Sequence, residues 1–149
     1  MRAAINPDYT WYRLALFRSK IHGRGVKAVE NIPARMPVIE HTGLLINRRR
    51  YRKLVLNDKS KHQHQYLWNI NPYWSMDGAV GGSGAEFVNH SCDPNLVAHI
   101  IGKRIYYYSR RAIKKGEELT IDYRFDASET PVPCRCGSEK CRGTINMKG

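Results

Sequence analysis

The sequence has no long hydrophobic run and no apolar segment at its start. No apolar stretch approaches the roughly 18–20 residues that a membrane-spanning helix needs, and Met1–Trp11 carries a single arginine. This start predicts no secretory signal peptide and favours an intracellular protein. The sequence also has no internal repeat and no segment typical of an interdomain linker. We therefore expect a single domain over 1–149, with a core at 11–125 and a separate C-terminal segment at 126–149.

Cysteine is scarce, and its distribution is uneven. Three of the four cysteines, Cys134, Cys136 and Cys141, lie within eight residues of one another. In an intracellular protein such a cluster favours a metal site over a disulfide framework. A closed structural zinc site takes four nitrogen or sulfur ligands in a tetrahedron, and Cys92 is the one cysteine left to complete it. Four free, buried thiols are the alternative, which the nearby turn-forming glycines make less favourable.

Acidic residues are few relative to basic ones. The 13 Asp and Glu against 25 Lys and Arg give a formal net charge of +12. This balance favours encounter with nucleic acid or with an assembly that contains it. A basic surface without a specific partner explains the charge equally well. The densest run is Arg48–Lys53, which is either a solvated helix face or a DNA contact.

Helical patterns are rare, and most of the chain is typical of short strands broken by turns. The clearest helix is predicted at Asn47–Leu56, with Asn47 as its N-cap. The turn predicted at Lys114–Glu117 separates two of the strand candidates. These patterns predict a mostly β fold, with strands expected at Trp11–Arg18, Val26–Ile32, Pro37–His41, Arg104–Ile113 and Glu118–Tyr123.

A dense polar run surrounds the isolated cysteine. Asn89–Asn95 reads NHSCDPN and directly follows the apolar pair Phe87 and Val88. Its side chains can form local hydrogen bonds, and its proline closes a turn. Polar groups at a buried boundary need partners, and a polar ligand is one such partner. Taken alone, the run favours a structural turn.

Four motifs in one order give this run a different meaning. The sequence resembles the SET-domain methyltransferases, whose motifs it matches from His22 to Gly143. The matching segments are His22–Val26 (HGRGV, the opening glycine motif), Asn89–Asn95 (NHSCDPN), Gly116–Tyr123 (GEELTIDY) and Cys134–Gly143 (CRCGSEKCRG, the post-SET zinc segment).

The resemblance implies a fold and an activity. The fold is a set of small curved sheets with a knot-like C-terminal crossing and a zinc-bound post-SET tail. The activity is transfer of methyl groups from S-adenosylmethionine to the side-chain amine of lysine in a protein. A histone or a DNA-packaging protein is the expected substrate. The protein is then cytoplasmic in a bacterium, and nuclear or chromosomal in a eukaryote or a virus.

The resemblance also implies cofactor-binding residues. The backbone around Gly23, Arg24 and Gly25 is expected to contact the methionine part of the cofactor. Asn89 and His90 are expected to hold its amino and adenine groups. The family also has a tyrosine near the cofactor, which here is Tyr66.

A second set of residues is implied for the lysine channel. Tyr123 matches the catalytic tyrosine, Trp68 an aromatic channel wall, and His41 a channel position at which the family often has tyrosine. Ile121 lies two residues before the catalytic tyrosine, where a tyrosine limits methylation. Because Ile121 has no hydroxyl, we expect products beyond monomethyl-lysine, unless a tyrosine of Tyr106–Tyr108 supplies the missing hydroxyl.

Other departures and alternatives remain. Glu86 stands where the family commonly has arginine. No cysteine precedes Cys92, so the cysteine-rich segment that precedes many SET domains is not expected, and the chain resembles a minimal, stand-alone SET protein of bacterial or viral type. The competing functions are a non-catalytic SET-fold module that binds chromatin or nucleic acid, and a DNA-binding protein.

Overall fold

The computed structural model describes residues 3–57, 66–128 and 130–148. Within these ranges the chain is mostly β, as the sequence predicts, with one α-helix, α1 (Arg48–Asn57), and two 3₁₀ turns, Pro7–Tyr9 and Ala85–Phe87. None of the described helices is long and apolar enough to cross a membrane. The strands are β1 (Leu14–Arg18), β2 (Arg24–Ala28), β3 (Pro37–His41), β4 (Leu44–Asn47), β5 (Leu67–Asn69), β6 (Trp74–Asp77), β7 (Asn89–His90), β8 (Leu96–Ile101), β9 (Arg104–Ser109) and β10 (Thr120–Ile121).

The strands form four small sheets instead of one large one. Strands β1 and β2 pair as an antiparallel hairpin, while β3-β9-β8 and β4-β6-β5 form two three-stranded sheets. Strands β7 and β10 pair in parallel, with Asn89 opposite Thr120 and His90 opposite Ile121. This last pair brings the NHSCDPN and GEELTIDY motifs side by side, although they are distant in sequence.

Strand β9 is the central strand of its sheet and contributes to the core. Its alternate residues Ile105, Tyr107 and Ser109 are buried, as the two-residue period of a strand requires. Burial of a side chain such as Ile105 contributes roughly 1.5–3 kcal/mol to stability. The same cluster includes Leu96 and Leu119, so the core lies directly beneath the β7–β10 pair.

Local sequence signals place the helix and one turn correctly. The Asn47 side-chain oxygen accepts the N–H of Arg50 at 2.9 Å, which is the N-cap bond expected for α1. In the predicted turn, Glu117 N–H donates to the Lys114 carbonyl at 3.0 Å. Gly116 has φ +93°, a conformation that glycine adopts at little cost.

The strand predicted at Glu118–Tyr123 is shorter than expected. Only Thr120 and Ile121 belong to β10. The reason lies in the partners of the flanking residues, because Leu119 N–H donates to the Val26 carbonyl and Tyr123 N–H donates to the His90 ring. Strand β2 and the His90 side chain thus take the bonds that a longer ladder would have used.

The C-terminal segment folds back against the core. Phe125 forms an isolated bridge with Asn146, and Pro133 forms one with Thr144. Met147 N–H donates to the Phe125 carbonyl at 2.8 Å. The segment therefore runs beside Phe125, four residues after the end of β10.

Candidate active site and metal centre

The four cysteines come together in one cluster. The sulfur atoms of Cys92, Cys134, Cys136 and Cys141 all lie within 4.8 Å of one another, and those of Cys92 and Cys134 are 3.7 Å apart. Zinc–sulfur bonds of about 2.3 Å in a tetrahedron put the sulfurs about 3.8 Å apart. The cluster is therefore compatible with a zinc ion held by four thiolates.

Backbone N–H groups donate to the sulfurs, although burial raises the pKa of Cys92 and of Cys134. Arg142 N–H donates to the Cys92 sulfur at 3.3 Å, and Gly143 N–H donates to the Cys141 sulfur at 3.4 Å. Burial acts to raise the pKa of Cys136, but hydrogen bonds from the N–H groups of Cys92 and Ser138 help hold it below its ordinary value. Because the protein supplies four ligands, the cluster fits a closed structural site and leaves no position for a reacting molecule.

An ion pair fastens the cysteine segment to Asp122, the residue before Tyr123. The Arg142 guanidinium donates to both carboxylate oxygens of Asp122, at 2.9 and 3.1 Å. Burial acts to raise the pKa of Asp122, and the hydrogen bonds from Arg142 and from the Arg124 N–H hold it below its ordinary value. Both residues lie inside the recognised motifs, but sequence reasoning gave their side chains no role, since nothing local indicates that they pair.

The glycine turn before β2 is fastened to β7 by one amide. The Asn89 side-chain NH₂ faces three oxygens, which are the carbonyls of His22 and Arg24 and a carboxylate oxygen of Glu118, at 3.0 to 3.1 Å. A β-carbon at Gly25 would collide with the Glu118 side chain and lie 3.1 Å from the Asn89 amide nitrogen. No role was assigned to Glu118 from the sequence, although this residue lies within the GEELTIDY motif.

An open cavity lies beside this turn. It has a volume of about 460 Å³ and is lined by Leu16, Phe17, Arg18, Gly23 and Arg24. Such a volume lies within the roughly 300–1,000 Å³ typical of small-molecule sites. Because the Asn89 amide nitrogen is committed to the protein, its side-chain oxygen is the atom that can accept a hydrogen bond from a ligand.

His90 has both ring nitrogens in contact with other groups of the protein. Tyr123 N–H donates to Nδ1 at 3.0 Å, and Nε2 lies 3.4 Å from the Cys92 sulfur. Burial lowers the pKa of His90 to about 4, although the Asp122 carboxylate 3.6 Å away acts to raise it. The side chain is 3% exposed. It therefore lies between the metal centre and Tyr123, so its backbone is the part left for the expected cofactor contact.

Tyr123 is a partly buried, neutral phenol. Its hydroxyl donates to the Val88 carbonyl at 2.7 Å, and its ring meets His90 edge-on with centroids 5.4 Å apart. Burial raises the pKa of Tyr123, so the phenol stays protonated near neutral pH. Since its proton is donated to Val88, the hydroxyl oxygen is free to act as an acceptor.

An aromatic cluster lies on the other strands of the site. The Trp68 indole N–H donates to the Tyr107 hydroxyl at 2.8 Å, and that hydroxyl lies 3.3 Å from His41 Nδ1. Burial lowers the pKa of His41 to about 4, so its ring is neutral at pH 7. The Tyr66 ring packs edge-on against Phe87, with centroids 6.0 Å apart.

The remaining channel candidates differ in exposure. Ile121 is 3% exposed and packs within the core cluster. Glu86 is partly buried, which raises its pKa, and it accepts the Gly84 N–H at 2.9 Å. Tyr107 is the one member of Tyr106–Tyr108 whose hydroxyl reaches the buried cluster among the described contacts.

Comparison with known proteins identifies the class. Residues 23–124 match the family described as SET domain, and the chain therefore belongs to the SET domain family. It is 38% identical over 139 residues to Histone-lysine N-methyltransferase set-2 of Caenorhabditis elegans, covering 87% of this chain and 9% of that protein. It is 38% identical over 146 residues to Histone-lysine N-methyltransferase 2B of Homo sapiens, covering 89% of this chain and 5% of that protein.

A solved structure has the same fold. The crystal structure of KRYPTONITE in complex with mCHG DNA and SAH matches this chain with a TM-score of 0.75 and 28% sequence identity. The match covers 91% of this chain and 29% of that chain. This chain thus spans a small part of each relative, down to 4% of trithorax from Drosophila virilis.

Proposed function

We propose that this chain transfers methyl groups from S-adenosylmethionine to the side-chain amine of lysine in a protein substrate. The observation that carries the proposal is the placement of Tyr123, a neutral phenol whose hydroxyl bonds to Val88, and the next residue in the chain, Asn89, holds the glycine turn. The relatives are named histone-lysine methyltransferases, and the related KRYPTONITE structure contains SAH, which supports the same chemistry here.

The glycine turn is the part of the chain suited to the cofactor. Gly23 and Arg24 line the open cavity, Gly25 follows them in the turn, and the Asn89 oxygen can accept from a cationic amino group. Tyr66 and the backbone of His90 complete the proposed set. When bound, the cofactor supplies an electrophilic methyl group on a positively charged sulfur.

The protein residues prepare the lysine for attack. A free lysine amine has a pKa of about 10.4, so it must lose a proton before it acts as a nucleophile. Trp68, Tyr107 and neutral His41 form an aromatic, water-poor wall that disfavours the ammonium form. Once the ammonium proton has passed to water, the Tyr123 oxygen would accept from the neutral amine and hold its lone pair in line for methyl transfer.

The cysteine cluster has a structural role in this proposal. One zinc ion per chain is held by Cys92, Cys134, Cys136 and Cys141, and it closes the C-terminal segment against the core. The segment at 126–149 is thus a post-SET tail, and 11–125 is the SET core. The Arg142–Asp122 pair supports a structural role for the tail, because it joins the tail to the residue before Tyr123.

The proposed substrate is a histone or another basic DNA-packaging protein. The enzyme would then be nuclear or chromosomal in a eukaryote or virus, and cytoplasmic in a bacterium. The named histone activity of the relatives supports this substrate class. Exposed Arg49, Arg50, Arg52 and Lys53 on α1 support a contact with DNA or nucleoprotein. A non-catalytic SET-fold module that binds chromatin or nucleic acid through the same surface is the alternative.

Labelled methyl groups distinguish these two functions. The protein is incubated with methyl-labelled cofactor and purified histone octamers, and in a separate experiment with the labelled cofactor and a cell lysate. The modified residues are identified by mass spectrometry. Transfer to lysine supports the enzyme. Binding of octamers or DNA without any transfer, in protein that binds the cofactor, favours the non-catalytic module.

A further inference from the structure

His90 connects two parts of the site that have different tasks. One ring nitrogen, Nδ1, accepts the Tyr123 backbone N–H at 3.0 Å. The other, Nε2, lies 3.4 Å from the Cys92 sulfur. The side chain is 3% exposed, so water does not compete for these contacts.

The bond from Tyr123 fixes the tautomer of His90. A nitrogen that accepts an N–H carries no proton, so Nδ1 is the bare nitrogen and the ring proton lies on Nε2. The opposite tautomer, or a protonated ring, would place two N–H donors 3.0 Å apart. The Nε2–H group therefore donates towards the Cys92 sulfur.

The Cys92 sulfur thus receives two N–H donors. The His90 ring nitrogen lies at 3.4 Å and the Arg142 backbone nitrogen at 3.3 Å. A metal-bound thiolate is a far better acceptor of such bonds than a neutral thiol, since it carries a full negative charge. Hydrogen bonds to ligand atoms orient the ligand and tune the metal site.

Tyr123 is held by the same short segment at its other end. Its hydroxyl donates to the carbonyl of Val88, two residues before His90. The His90 ring holds the backbone N–H of Tyr123, and the Val88 carbonyl holds its hydroxyl. The orientation of the His90 ring therefore also affects where the Tyr123 hydroxyl lies.

We propose that His90 is a positioning residue that couples the metal centre to Tyr123. Its Nε2–H donates to a metal-bound Cys92 thiolate, and its Nδ1 holds the Tyr123 amide. This rests on the proposed zinc site and on the proposed role of Tyr123. A chain without its metal then has a weaker sulfur acceptor for the ring, and its tyrosine is held less firmly.

The first test reads the bond itself, without any enzyme assay. The protein is loaded with cadmium-113, its histidines are labelled with nitrogen-15, and the spectra are recorded by NMR. We expect His90 as the neutral Nε2–H tautomer, with a coupling from its Nε2 proton to the metal through the Cys92 sulfur. The Nδ1–H tautomer overturns the proposal, and so does wild-type protein that takes up no metal.

The second test separates the two ends of the ring with two variants. His90→Asn places an acceptor near the Nδ1 position but has no donor that reaches the sulfur. His90→Gln can reach the sulfur but lacks the acceptor for the Tyr123 amide. His99→Asn, on β8 and away from the cysteine cluster, is the matched control.

Metal affinity and turnover are then measured separately. In competition with a chelator, His90→Asn should bind zinc roughly 10–100-fold more weakly, as removal of a ligand's hydrogen-bond partner does. His90→Gln should keep most of the affinity but have a lower kcat, with KM less affected. Equal zinc affinity in wild type and His90→Asn overturns the coupling. A wild-type protein without methyl transfer contradicts the proposed function instead, because the cadmium spectrum still reports the bond.

Discussion

Tyr123 is held at both ends by one short segment of the chain. Its backbone N–H donates to His90 and its hydroxyl donates to the Val88 carbonyl. The raised pKa excludes the phenolate as a ready base near neutral pH. In the proposed reaction, Tyr123 therefore acts by position and as a neutral acceptor, and desolvation by the aromatic wall would drive loss of the lysine proton.

Replacement of the hydroxyl tests this role. Tyr123→Phe should lower kcat on the order of 10²-fold, because the amine is then without the oxygen that aligns it. Stability should fall by about 1 kcal/mol, since the Val88 carbonyl is left without its partner. Tyr108→Phe on β9 is the matched control and should change neither. Steady-state kinetics and thermal unfolding measure both, and near-normal turnover in folded Tyr123→Phe would remove Tyr123 from the mechanism.

We expect Ile121 to govern the number of methyl groups added in the proposed channel. Its side chain has no hydroxyl that can hold a water near the amine, so dimethyl- or trimethyl-lysine should accumulate under excess cofactor. Ile121→Tyr should shift the product towards monomethyl-lysine, and Ile121→Leu is the control that keeps the product unchanged. Mass spectrometry of a peptide substrate measures the distribution. A wild-type product that stops at one methyl group shows that another residue, such as Tyr107, sets the limit.

His41 makes stability depend on pH. Its pKa is lowered to about 4 by burial, against an ordinary value of 6.5. As the pH falls below about 6.5, the unfolded ring takes up a proton while the folded ring stays neutral, so unfolding becomes more favourable. The free energy of unfolding should fall by about 2 kcal/mol from pH 7 to pH 5 through this residue.

Two variants isolate the contribution of His41. Denaturant unfolding at several pH values should give a shallower slope in His41→Asn than in wild type, since the titrating ring is gone. The control His99→Asn, whose ring lies outside the buried cluster, should keep the wild-type slope. Parallel slopes in wild type and His41→Asn would mean that His41 titrates alike in both states.

Helix α1 is the most basic element of the fold. Arg49 and Arg52 lie three residues apart, so they share a helix face. Changing both to Gln should weaken binding to DNA and reduce the salt slope by up to about two, one for each phosphate that the helix no longer neutralises. The control removes the same charge elsewhere, at Lys114 and Lys115 in the exposed turn. Fluorescence anisotropy over a salt series measures both, and equal slopes in the two double variants would leave α1 without a specific role.

The elements also differ in how well the sequence predicts them. The N-cap at Asn47 and the glycine turn at Gly116 depend on local chemistry, so local patterns locate them. The shortened β10 depends on a side chain from β7, which no local pattern includes. Most of the mostly β fold could therefore be predicted, while the ends of the strands could not.

The same distinction holds for the site. Four ordered motifs predict the residues around Tyr123 and the four clustered cysteines, whereas Trp68 and His41 lie outside these motifs. They do not predict that Arg142 pairs with Asp122, or that Tyr107 joins Trp68, because each pair is brought together only by the fold. They also assign His90 to the cofactor, whereas its ring lies between Cys92 and Tyr123.

At the scale of the whole molecule, the cysteine cluster joins the C-terminal segment to the NHSCDPN run through Cys92. Metal analysis of freshly purified, unchelated protein should find one zinc per chain. Removal by a chelator should loosen the C-terminal segment and lower activity, because metal binding and folding of that segment are coupled. Hydrogen exchange should rise at 130–148 and change little in the β3-β9-β8 sheet. Full activity in metal-free protein would separate the cluster from the site.

Methyl transfer to a defined lysine tests the proposed activity most directly. The protein is mixed with methyl-labelled S-adenosylmethionine and a histone-tail peptide that carries the lysine found in the octamer experiment, and a second peptide has arginine at that position. We predict labelled methyl-lysine in the first peptide and no label in the second. Binding of the cofactor and the peptide with no labelled lysine, or label on any other side chain, would contradict the assignment of this chain as a lysine methyltransferase.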